Sequence, residues 1–68
     1  MLTSTQALYY VKEVEEAFTS TNLPVRSVGL EGGITIWGLA DSNNEIVIYR
    51  ITDKDSSYNF DAKSLKLL

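Results

Sequence analysis

The chain has 68 residues with nine acidic and six basic side chains, a net charge of −3 and 44% apolar residues, and it contains neither cysteine nor histidine. Disulfides and thiolate or imidazole metal ligation are therefore excluded, no histidine can act as general base, and the basic excess needed to bind a phosphate backbone is missing. A chain this short buries only about 60% of the surface its unfolded form exposes, so we expect one domain, residues 1–68, of small stability.

From the N-terminus, "MLTSTQALYYVKEVEEAF" lacks the basic start and unbroken apolar core of a secretion signal. No later run approaches the roughly 20 apolar residues of a membrane span. A cytoplasmic location without membrane contact is the expectation. Thr3 and Gln6 have the spacing of a capping box, which predicts a helix start. At about 100° per residue, Ala7, Val11, Val14 and Phe18 fall on one stripe, flanked by Leu8 and Tyr10. Lys12, Glu13 and Glu16 point away from it. Pro24 disfavours helical geometry just before itself, so the helix should end near residues 19–21.

Three strands are predicted next, at Val25 to Leu30, Ile34 to Ala40 and Glu45 to Thr52. "EGG" and "SNN" are the turns, since Gly and Asn tolerate positive φ. Three-residue turns, with Gly33 or Asn44 left-handed, put the even-numbered residues of all three strands on one face. Val28, Leu30, Ile34, Ile36, Gly38, Ala40, Ile46 and Ile48 then pack on the helix. Gly38 and Ala40 are small enough to let it approach closely. A fourth, short strand is expected over Tyr58 to Ala62, although Asp61 could instead cap a C-terminal helix. The expected fold class is α+β: an N-terminal helix packed on one face of a three- to four-stranded antiparallel meander sheet (α-β-β-β-β), in two layers.

"YNFDAKSLKLL" following "IVIYRITD" resembles the end of small PepSY-type domains. Those combine a helix with a short antiparallel sheet and often finish on an Asp-Ala-Lys strand-turn. The glycine usual in that turn is replaced by Ser64 or Leu65. The resemblance implies the same helix-and-sheet architecture and nothing about activity.

Motifs that could carry chemistry fail at the positions that matter. Asp53, Asp55, Ser57, Asn59 and Asp61 place oxygen donors at every second residue, as in a calcium loop. The sixth position of such a loop should be glycine and is Tyr58; the twelfth should be a bidentate glutamate and is Ser64. "GLEGG" joins two strands and opens no helix, so it cannot cradle a phosphate at a helix N-terminus. Glu13, Glu15 and Glu16 lie on or beside a solvated helix face, with no burial to raise a carboxylate pKa. We expect no enzyme activity, no catalytic residues, no cofactor and no metal.

The odd-numbered strand face is the remaining feature. It would carry Val25, Thr35, Trp37, Leu39, Val47, Tyr49 and Ile51, with Trp37 opposite Tyr49 and Leu39 opposite Val47. Both faces of the sheet would then be apolar, and one helix can cover only one. A second cover is expected from the C-terminal segment, from a second copy in a homodimer, or from another protein. The expectation is a small non-catalytic protein-binding module, an inhibitor or adaptor of the kind found in phages, viruses or mobile elements. Its candidate binding residues are Trp37, Leu39, Val47, Tyr49 and Ile51. A homodimeric assembly subunit is the alternative. A single-strand nucleic-acid binder using Trp37 and Tyr49 is a second one, disfavoured because no Lys or Arg cluster accompanies them.

Overall fold

The structure is a computed structural model describing residues 2–19 and 26–68. A helix, α1 (Ser4–Thr19), precedes four strands: β1 (Ser27–Leu30), β2 (Ile34–Ala40), β3 (Ile46–Thr52) and β4 (Ser57–Asp61). The strands form one antiparallel sheet in the order β1-β2-β3-β4. The helix packs on one face of it, chiefly over β3 and β4. The α+β meander expected from periodicity is therefore the fold. The predicted start of the first strand at Val25, Pro24 itself and any helix end beyond residue 19 lie outside the described residues.

The helix begins as its first residues dictate. The Gln6 amide donates to Thr3 Oγ1 (3.2 Å) and the Thr3 amide donates to Gln6 Oε1 (3.0 Å). This reciprocal cap satisfies two otherwise orphaned donors and contributes about 1 kcal/mol. Ala7, Val11 and Phe18 are buried, with Leu8, Tyr10 and Val14 packed beside them. Leu2, just before the cap, is also buried. Its amide donates to Asp53 Oδ2 (3.1 Å), and its carbonyl accepts the Tyr58 hydroxyl (2.8 Å). The start of the helix is thereby tied to the turn between β3 and β4.

Both predicted three-residue turns form. Glu31, Gly32 and Gly33 join β1 to β2, with φ of 81° at Gly32 and 78° at Gly33. Ser42, Asn43 and Asn44 lie between Asp41 and Glu45, whose backbones are joined by a 2.9 Å hydrogen bond. Asn44 is left-handed, at φ 65°. Asp41 Oδ1 accepts the Asn43 and Glu45 amides, fixing this turn from inside.

The pleat of β3 departs from expectation. Ala40 pairs with Ile46, as a three-residue turn requires, but Leu39 pairs with Ile48. Val47 is the extra residue of a β-bulge. A one-residue slip sends every later side chain to the opposite face. Gly38 then pairs with Tyr49, Trp37 with Arg50 and Ile36 with Ile51. Tyr49 (2% exposed) and Ile51 (0%) are sealed beneath the helix with Ile36 and Phe60, and are not on the open face where the sequence reading placed them. Ile48 and Arg50 take their places outside. The reason is electrostatic as well as steric. Without the bulge, Arg50 would stand opposite fully buried Ile36, and an unpaired buried guanidinium costs several kcal/mol.

Gly38 explains how the helix end fits. A Cβ there would lie 2.8 Å from Ile46 Cδ1 and 2.9 Å from Phe18 Cδ1. The Phe18 ring instead crosses the bare backbone and meets Tyr49, with centroids 5.3 Å apart and planes tilted by 45°. Beyond β4, Asp61 Oδ2 accepts the amides of Lys63 (3.0 Å) and Ser64 (2.8 Å), closing one turn that ends at Leu65 with φ 59°. The chain then returns along the outer side of β4. The Asp61 amide donates to the Lys66 carbonyl and the Leu68 amide to the Asn59 carbonyl, both at 2.9 Å. The tail covers the edge of β4 and not the open sheet face.

Candidate functional site

The open face is set by the register. Trp37, Arg50 and Asn59 form one row across β2, β3 and β4; Leu39, Ile48 and Asp61 form the next; Thr35, Thr52 and Ser57 form a third. Ser27 and Gly29 of β1 lie beside Trp37 and Thr35 and add almost no bulk. Trp37 is 42% exposed and Val47 40%. Leu39 and Ile48 are half-buried. The Arg50 side chain lies flat on the sheet, its Nε donating to Asn59 Oδ1 at 2.9 Å. The face therefore carries a narrow apolar strip of Trp37, Leu39, Ile48 and Val47, bordered by the Arg50 guanidinium, the Asn59 amide, the Asp61 carboxylate and hydroxyls.

Of the five candidate binding residues, three reach the surface near this strip: Trp37, Leu39 and Val47. Tyr49 and Ile51 do not, because the bulge carries them into the core. Burial, and secondarily the Glu15 carboxylate, push the Tyr49 phenol above its ordinary pKa. Ile48 and Arg50 are the open-face residues the sequence reading missed. The signal that could have found them is Arg50 itself, a charge that no straight register can place under the helix.

No protein-family model matches the chain, and no curated protein or solved structure matches it either. The resemblance of residues 58–68 to PepSY-type domains thus remains one of local sequence and general architecture.

Of the oxygen donors that recur at every second position, Asp53 and Asp61 accept backbone amides of their own turns. Asp53 Oδ1 accepts the Asp55 (2.8 Å) and Ser56 (2.6 Å) amides while Oδ2 accepts that of Leu2. Asp61 performs the equivalent task in the following turn. Among the described residues no group of three His, Cys, Asp or Glu side chains is placed to hold a metal ion. The Asp55 amide, followed by those of Ser56 and Leu2, holds the Asp53 carboxyl below its ordinary pKa against a smaller opposing effect of burial. The Ser64 amide and hydroxyl do the same for Asp61. A depressed folded-state pKa contributes stability that is complete above the unfolded value of about 3.9 and is lost as pH falls through the folded value. Urea titrations between about pH 6 and pH 2.5 should show stability falling below about pH 4. The Asp53→Asn, Asp61→Asn double variant should be less stable at pH 6 and show a flatter acid limb. An unchanged slope in that variant would mean that other carboxylates carry the acid sensitivity.

A shallow groove of about 420 Å³ lies on the other side of the molecule. It runs between α1 and the end of β1, lined by Tyr9, Tyr10, Glu13, Val14, Leu30 and Glu31. No helix among the described residues is long and apolar enough to cross a membrane.

Proposed function

We propose that the protein is a small non-catalytic binding module that docks another protein through the open sheet face, with Trp37 as anchor and Leu39, Val47 and Ile48 around it. The observation that carries this reading is the 42% exposure of the only tryptophan on a strand whose alternate residue, Ile36, is fully buried. Trp and Arg are the residue types most enriched at binding hot spots, and here Trp37 and Arg50 are cross-strand neighbours. Both sit on strands held in the backbone ladder, so they are presented at little backbone conformational cost. The acidic helix face, with Glu13 and Glu16, would tune partner choice by charge.

The test is affinity capture from the native host with wild type and Trp37→Ser in parallel, checked by circular dichroism. The variant should keep its helix signal and lose the captured partner. Retention of the same partner by a folded Trp37→Ser variant would refute the reading.

One observation favours a second reading. Arg50 on the open face gives Trp37 the cationic neighbour that single-strand nucleic-acid sites use. Salt-dependent retention on heparin or on immobilised single strands would support it. The net charge of −3 weighs against it.

A further inference from the structure

The two edges of the sheet are treated differently. Along β4 the tail occupies the outward backbone groups of Asn59 and Asp61. Along β1 no described residue does the same. The Gly38 amide donates to the Arg26 carbonyl at 2.9 Å, so Arg26, Val28 and Leu30 are the positions whose backbone groups face β2. By the alternation of antiparallel ladders, the N–H and C=O groups of Ser27 and Gly29 face outward. The segment Ser27–Leu30 has no proline, no charge and no bulge, the devices that normally blunt an edge. The helix packs over β3 and β4, leaving Val28 and Leu30 only half-buried on the helix side.

We propose that β1 pairs antiparallel with β1 of a second copy, giving a two-fold dimer with a continuous eight-stranded sheet. The occupant follows from self-complementarity. Placing Val28 opposite the other copy's Val28 matches Ser27 with Gly29 on both sides, and four backbone hydrogen bonds form. The same register sets Arg26 of each copy opposite Leu30 of the other, on the helix side. Leu30 borders the groove whose acidic lining is Glu13 and Glu31. One end of the edge is thus cationic and the other end anionic, and a two-fold brings unlike ends together twice. The Arg26 residue is exposed, and among the described residues its guanidinium bonds only to the Asn44 side chain, at 3.0 Å, so it can turn to the groove. The two Val28 side chains extend the helix-side core across the new seam. This inference uses the edge of the sheet and stands independently of the function proposed for its open face.

Light scattering coupled to gel filtration, from about 10 μM to about 1 mM, should show monomer passing to dimer. Amide exchange at Ser27 and Gly29 should slow over the same range. Gly29→Pro removes an outward N–H without touching the β2 ladder and should weaken the dimer about tenfold or more. Arg26→Glu should weaken it similarly, and adding Glu31→Arg should restore it. Trp37→Ser should leave it unchanged. A monomer throughout the range overturns the proposal. So does a dimer indifferent to Gly29→Pro and the charge swap but lost with Trp37→Ser, which would place the contact on the open face.

Discussion

Tyr49→Ala is expected to leave the chain largely unfolded at 25 °C, while Trp37→Ser stays folded. Tyr49 is 2% exposed, in tilted ring contact with Phe18 and paired across the sheet with Phe60. Truncating a buried aromatic costs about 3–5 kcal/mol, from lost transfer energy and the cavity left behind. A single core in a chain of this size rarely supplies more than about 3–5 kcal/mol in total. The substitution therefore consumes the whole margin. Trp37 already meets solvent over 42% of its surface, and its loss opens no closed cavity. Thermal unfolding followed by circular dichroism checks both. A cooperative transition for Tyr49→Ala near the wild-type midpoint would show that its ring is not in the core.

Gly38→Val is expected to destabilise the domain by about 1–3 kcal/mol or more, whereas Gly29→Val should be neutral or mildly stabilising. The two glycines sit on neighbouring strands and differ in what lies above them. A Cβ at Gly38 would meet Ile46 and Phe18 at under 3.0 Å, and a β-branched side chain adds two methyls in the same space. The end of Ile46 can rotate, but the Phe18 ring is held against Tyr49, so relief requires the end of the helix to lift. A Cβ at Gly29 meets nothing within 4 Å. Urea unfolding of both variants measures the contrast. Equal stabilities would mean that Phe18 does not close over Gly38.

The sequence carried most of the fold in signals that are local. The Thr3–Gln6 cap, the Ala7–Val11–Phe18 stripe and the Gly- and Asn-bearing turns each act within a few residues, and each forms as read. The candidate site was legible only on β2, where Ile34, Ile36 and Gly38 alternate cleanly against Trp37 and Leu39. On β3 every position from Ile46 to Ile51 except Arg50 is apolar or aromatic, so hydrophobic alternation cannot fix the phase. A bulge has no sequence signature of its own here; it is selected by tertiary competition between burying Arg50 and burying Tyr49. The supposition of two fully apolar faces fails for the same reason. Moving Tyr49 and Ile51 inward and Arg50 outward leaves an apolar strip of Trp37, Leu39, Val47 and Ile48 with a charged side chain in its midst.

The Val47 bulge thus decides which residues form the core and which are offered to partners. A two-dimensional NOE spectrum of the isolated protein tests it most directly. Ring-to-ring contacts are expected between Tyr49 and Phe18 and backbone contacts between Trp37 and Arg50, with none between the Trp37 and Tyr49 rings. Strong contacts between the indole and the Tyr49 ring, with Phe18 remote from both, would contradict the bulge.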